Sequence, residues 1–275
     1  MRYKIKSLLI LLMFAYSSAT YAQSIMQQIN ALSWQMSGVL PIGPQATLQL
    51  TKTVKGLNAA DTSKFLELNG NLPTTNTYLV SKDDYHWFAT FKFENSGYIK
   101  DDEKIDAAEL LRILKENNLK GAEERRKSGL EALILEGWFV EPHYDQQTKR
   151  LEWGLRLQGE VSKEIIVNYS SRLLSRSGVM HATLVADPQT FRTDLNEFNL
   201  MLNKFEFTSG QRYEEFRQGD KVAAYGLGAL VLGGAAAAAA KAGSGFLKAI
   251  GFAVVAFFGA IIAFFKRFFT KKPDA

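Results

Sequence analysis

Three groups of residues have types and spacings that could do chemistry. Asn168, Arg172 and Arg176 carry even numbers along one predicted strand and so share a sheet face, with the two arginines about 13 Å apart. Guanidinium forks bind carboxylate and phosphate well, so this row can clamp an acidic partner or lipid headgroups. The competing reading is a solvated face with cross-strand ion pairs, the ordinary arrangement for exposed charge on a sheet. Asp101, Asp102, Glu103, Asp106 and Glu109 form the densest acidic cluster. Their spacing does not match a calcium-binding loop, and carboxylates at a helix start cap free N–H groups and complement the helix dipole. His143, beside Tyr144 and Asp145, is the candidate general base of the third group. No nucleophile sits on a recognisable elbow, and no phosphate-binding or dinucleotide fingerprint follows a strand. His86 and His181 fall within strands without ligand spacing. With no cysteine in 275 residues, thiolate metal sites, iron–sulfur clusters and disulfide scaffolds are excluded. These residues name no catalytic set, no metal and no cofactor.

The elements that must position these residues belong to an α+β domain, in which periods of 2 and 3.6 alternate along residues 23–221. Gln23 to Gly38 reads as an amphipathic helical lead-in, and Ala46 to Lys52 as a strand. Tyr85 to Phe93 is the clearest strand, with Tyr85, Trp87, Ala89, Phe91 and Phe93 on one face. Asp106 to Asn117 is helical, and Ala122 to Ser128 a separate polar turn. Ala132–Val140 and Arg150–Gln158 flank a hairpin, as do Glu164–Ser175 and Val179–Ala186. Pro188 to Asn203 is a helix with Asp187 at its N-cap. Consecutive hairpins predict an antiparallel sheet with covering helices.

Charge divides the chain. Residues 1–22 carry +3, residues 23–221 carry −3 and residues 222–275 carry +5. The basic excess therefore lies in the apolar ends, and the mildly acidic middle lacks the net cationic footprint of a nucleic-acid binder. Residues 1–22 have the basic, apolar and small-residue succession of a secretory signal peptide, cleaved before Gln23. Ala249 to Phe265 is uncharged and apolar all round, and Lys266 and Arg267 follow at once; a transmembrane helix is expected over 248–266, with a basic cytoplasmic tail over 267–275. Residues 219–247 read as a Gly/Ala-rich membrane-proximal helix. In it Ala229 and Gly233, then Ala236, Ala240 and Ser244, repeat small residues at four-residue spacing, which permits close helix packing in lipid. The alternative is that Ala-rich sequence yields such spacings by chance. A hairpin of two membrane crossings also remains open.

The stretch Gly97-Tyr-Ile-Lys-Asp-Asp-Glu103, the segment Gly137-Trp-Phe-Val-Glu-Pro-His-Tyr-Asp145 and the tetrad Leu151-Glu-Trp-Gly154 resemble those of a known family. So do Val167-Asn-Tyr-Ser-Ser-Arg-Leu-Leu-Ser-Arg-Ser-Gly-Val179 and Gly219-Asp-Lys-Val-Ala-Ala-Tyr-Gly226. From about residue 46 onward the chain resembles the DUF2167 family of bacterial membrane-anchored proteins, a resemblance that implies topology but no reaction. At the level of fold, the late hairpin, helix and Lys204-Phe-Glu-Phe207 resemble the Mog1/PsbP-like α/β/α sandwich. The expectation is thus a non-enzymatic binding or scaffolding module in residues 45–218, preceded by the helical lead-in over 23–44. It would be displayed on the periplasmic face of the bacterial inner membrane, with membrane lipid, another envelope protein or a second copy as partner. Two alternatives stand beside it. One is an envelope hydrolase that brings Asp101, Asp102 and His143 into one cleft; the other is a lipid or small-ligand sensor, which needs an apolar pocket between helix and sheet.

Overall fold

A computed structural model describes residues 24–234. The signal-peptide, transmembrane and tail segments expected from the sequence lie outside the described residues. Among those described, no helix is long and apolar enough to cross a membrane.

The domain is α+β and its sheets are antiparallel. Seven strands form the main sheet: β3 (Val54–Leu57), β4 (Thr77–Lys82), β5 (Phe88–Glu94), β6 (Leu133–Asp145), β7 (Arg150–Gly159), β8 (Ile165–Leu174) and β9 (Val179–Ala186). Their spatial order is β3-β4-β5-β9-β8-β7-β6. Two meanders, one from each half of the domain, therefore meet where β5 pairs with β9 from Phe88↔Val185 to Glu94↔Val179. A three-stranded sheet, ordered β1-β2-β10, is made of β1 (Val39–Ile42), β2 (Ala46–Gln49) and β10 (Phe205–Phe207). The helices are α1 (24–30), α2 (Ala59–Leu68), α3 (Ala107–Lys127), α4 (Phe191–Leu202) and α5 (Leu227–Val231).

Alternation along the strands sorts side chains onto two faces. One face packs against the small sheet and α4, with Trp87, Ala89, Phe91, Val167, Tyr169, Met180 and Leu184 meeting Leu48, Phe198 and Met201. On α4, Phe191, Leu195, Phe198 and Leu202 fall at the spacing of one helical stripe. The opposite face has two apolar covers. Helices α3 and α5 bury Leu110, Leu114, Leu227 and Leu230 with Trp153, Leu155 and Leu157 of β7. At the other edge, α1 and α2 bury Ile29, Phe65 and Leu66 with Leu79 and Phe88. Between those covers the sheet is polar.

Several elements differ from the sequence expectation for identifiable reasons. Tyr85 does not share the Trp87 face: at φ +61 it turns across the sheet and packs with Phe65 and Leu79 in the other cover. Asp187 does not cap α4, whose N-cap is Thr190; it accepts from Gln189 N at 2.7 Å in the preceding turn. Helix α3 runs unbroken to Lys127, capped as expected by Asp106, which accepts from Glu109 N at 3.0 Å. It continues because its polar inner residues are satisfied. Asn118 donates to Leu133 O at 2.9 Å and accepts from Leu135 N at 2.8 Å, filling the outward-pointing backbone groups of edge strand β6. Arg125 Nε donates to Glu131 O at 2.7 Å. Asn118→Ala should therefore lower stability by about 2 kcal/mol by orphaning two buried backbone groups. In urea unfolding, Lys115→Ala on the exposed face of the same helix is expected to shift the midpoint little.

Candidate functional site

The polar band between the two covers is the floor of a cavity of about 270 Å³. Strand register makes that floor an ordered grid. Arg172 of β8 lies opposite His181 of β9, which lies opposite Lys92 of β5. Two residues along, Trp153, Ser170, Thr183 and Thr90 are aligned across four strands. Two residues further, Leu155, Asn168, Val185 and Phe88 are aligned in the same way. The floor thus runs from a charged row through a hydroxyl row to a mainly apolar row, with rows about 7 Å apart. Leu66 of α2, Leu114 of α3, and Val231, Leu232 and Gly233 at α5 complete the walls.

This floor is withdrawn from solvent. Asn168, Ser170, Arg172, His181 and Thr183 are all buried. Asn168 Oδ1 and Thr183 Oγ1 have no hydrogen-bond partner among the described residues, although each residue is only 3% exposed. Buried polar atoms are ordinarily satisfied, and each exception costs about 1–3 kcal/mol. Arg172 packs its guanidinium 4.7 Å from the Trp153 ring and donates from Nη1 to Ala182 O at 3.3 Å. Burial pulls its pKa down to about 9 against the pull of Glu94, so it is still cationic at neutral pH. Burial first, and then the Arg172 charge, push the His181 pKa down to about 4, although its Nε2 lies 3.1 Å from Glu94 Oε2. The imidazole is neutral at pH 7. Lys92 stands exposed at the rim.

A clasp holds the α5 cover in place, and sequence segments far apart in the chain build it. Gly97 N donates to Ser177 O at 2.9 Å, Tyr98 N to Lys221 O at 2.8 Å, and Ala223 N to Tyr98 O at 2.8 Å. Gly97 is required there, because at φ +97 an added Cβ would lie 2.7 Å from Lys221 O. Arg176 closes the clasp with a two-pronged ion pair, Nε and Nη2 at 2.7 and 2.8 Å from the Asp220 carboxylate. Tyr98 stacks on Tyr213 at 4.4 Å, and Tyr225 donates its hydroxyl to Glu94. Glu103 accepts from Gly228 N at 2.9 Å at the start of α5.

The predicted binding row is therefore divided. Asn168 and Arg172 line the cavity, on a face that the two helical covers bury rather than leave solvated. Arg176, at the end of that hairpin, lies on the clasp. Of the small-residue series, Ala229 is half-buried in α5 and Gly233 lines the cavity, whereas Ala236, Ala240 and Ser244 lie outside the described residues. Within 219–234 only Leu227–Val231 is α-helical; the backbone is extended at Gly226 and has positive φ at Gly233 and Gly234. The hydrolase constellation does not assemble. Tyr144 and Lys149 hold Asp101 at 2.8 and 2.9 Å on the α3 side of the sheet. Adjacent His143 points to the opposite face, where its Nε2 is 3.8 Å from Glu152. Among the described residues no group of three or more His, Asp or Glu side chains is arranged to hold a metal. Sequence reasoning missed Ser170, His181, Thr183 and Thr90. Ser170 was readable as the residue between Asn168 and Arg172 at the same parity, but the others needed strand order.

Thr183→Val removes a buried hydroxyl that has no partner among the described residues, so it should raise the unfolding free energy by about 1 kcal/mol; a loss would show that the hydroxyl is satisfied. A second consequence concerns pH. The folded His181 pKa of about 4 lies below its ordinary 6.5, so between these values the unfolded chain binds the extra proton. Stability should fall as pH drops through that window, and a denaturation series on His181→Gln should show a shallower fall.

No curated protein matches the sequence. Among solved structures the chain is similar to the solution structure of cyanobacterial PsbP (CyanoP) from Synechocystis sp. PCC 6803, with 11% identity and a TM-score of 0.35. That likeness covers 64% of this chain and 92% of the other. A family model described as "Protein of unknown function (DUF2167)" matches residues 35–266, well over half of the sequence, and the chain belongs to the DUF2167 family.

Proposed function

We propose that this chain is an exported, membrane-tethered binding module of the bacterial envelope, and that the cavity between sheet and helices is its ligand site. The observation that carries the binding reading is the row of buried polar side chains facing a 270 Å³ space, two of them with unpartnered oxygens. A sheet face covered by helices is normally apolar, and polar atoms retained there at a cost in stability are the mark of a site. The small-ligand alternative required an apolar pocket between helix and sheet; this cavity has apolar walls over a partly polar floor, and its presence supports that reading over pure scaffolding.

Export and tethering rest on the ends of the sequence. The first 22 residues follow the signal pattern, and 17 uncharged residues from Ala249 to Phe265 precede a basic cluster. A single crossing leaves Lys266, Arg267, Lys271 and Lys272 in the cytoplasm, as the positive-inside rule prefers, and the domain in the periplasm. On this reading the segment that covers the cavity lies just ahead of the membrane-spanning stretch in the sequence.

Two measurements test the proposal. Reporter fusions after Gly219 and Ala275 should report periplasm and cytoplasm respectively; a cytoplasmic signal at Gly219 overturns export. Full-length protein extracted from its membrane, then denatured and analysed by mass spectrometry, should release a small molecule that the cavity-filling variant Ser170→Leu lacks. Identical extracts from both would reject the cavity as the ligand site.

A further inference from the structure

Resting on the cavity reading, we propose that the ligand is a small amphiphilic acid, a metabolite-sized molecule with one anionic head and an apolar body. Its head would lie on the Arg172 row and its body along the Phe88–Val185–Leu155 row. The direction of the grid is the main argument. An apolar site needs no charged end, and an inorganic anion site needs no apolar one. Here the two ends are about 14 Å apart on a continuous floor, with a hydroxyl row between them.

The sign of the head follows from the charges that line the cavity. Among the described residues they are Arg172, Lys92 and Glu94, two cations against one carboxylate, with a neutral His181 among them. Glu94 already accepts the Tyr225 hydroxyl and has His181 at 3.1 Å, whereas Lys92 stands at the rim where an acid would enter. Arg172, packed against Trp153 and donating to Ala182 O, brings to this end of the floor a guanidinium, the group type that pairs with carboxylates even while it keeps protein partners. Thr183 Oγ1, one row along, and Asn168 Oδ1, two rows along, supply the polar contacts for a hydroxyl or amide on the body. Size follows from volume. The cavity of about 270 Å³ lies just below the roughly 300–1,000 Å³ of ordinary small-molecule pockets, which suits a soluble short-chain acid better than a whole membrane lipid.

The test is calorimetric titration of the full-length protein in amphipol with octanoate, octanol, octylamine, acetate and palmitate, using the cavity-filling variant Ser170→Leu in the same amphipol to subtract partitioning. Octanoate is expected to bind saturably at one site per chain, with octanol, octylamine and acetate each at least tenfold weaker. Arg172→Met should weaken octanoate at least tenfold and leave octanol unchanged, and Lys92→Met, at an exposed position on the rim, should weaken octanoate severalfold. Octanol or octylamine binding as tightly as octanoate would overturn the anionic head while leaving a cavity that binds. Acetate matching octanoate would overturn the apolar body, and palmitate matching it would move the source from soluble acids to the bilayer. Failure of all five probes, together with identical extracts from wild type and Ser170→Leu, would reject the cavity reading itself.

Discussion

The pairing of β5 with β9 is the constraint on which the rest of the structure depends. It joins residues roughly ninety positions apart in the chain and welds two meanders into one sheet, from Phe88↔Val185 to Glu94↔Val179. Because side chains alternate with a strict period of two, that one register sends Ala89, Phe91, Ala182 and Leu184 into the core beneath α4. It sends Thr90, Lys92, His181 and Thr183 to the other face. A slip of one residue would exchange the two sets, putting charge into the α4 core and leaving the cavity floor apolar. The apolar face thus specifies the register, and the polar face receives its geometry as a consequence.

The polar face is costly, and the surrounding structure offsets the cost. Apolar covers flank it on both sides, Phe65 and Leu79 at one edge and Leu114 and Trp153 at the other, and these supply the burial that a polar strip cannot. The cover nearest the charged row is the short α5, which has too few residues to be stable by itself. Its place is set instead by the clasp, where Arg176 grips Asp220 and the Tyr98 backbone pairs across residues 221–223. Arg172 and Arg176 therefore serve two parts of one arrangement, the floor and the fastening of its cover. They are four residues apart on one hairpin, yet only Arg172 faces the cavity.

Much of the fold was legible where a local pattern matched a local structure. Strand β9 begins and ends where its alternation does, and α4 follows its Phe191–Phe198–Leu202 stripe. The pattern failed where distant partners override it. The break expected in α3 near Gly121 does not occur, because Asn118 and Arg125, polar residues on the inner face, find backbone acceptors on and beside β6. Strands β1, β3 and β4 do not declare themselves by period, since β1 carries Pro41, β3 carries Gly56 and β4 is buried on both faces, and they exist as strands through their neighbours in the sheets. The shared face of Asn168 and Arg172 was readable from parity. That this face is buried was not, since burial depends on α1, α2, α3 and α5, which arrive from elsewhere in the chain.

The amino-acid sequence alone determined the class of the domain, its antiparallel hairpins, the division of charge between apolar ends and an acidic middle, and the lack of cysteine chemistry. Those properties are sums or short-range periodicities, and a linear string carries them completely. Tertiary structure alone decided that Ser170, Thr183 and Thr90 stand in one row, that His181 is neutral beside Arg172, and that Arg176 fastens a cover instead of lining a site. Each of those facts depends on which strands are neighbours and on what excludes water above them, and both are set by long-range packing.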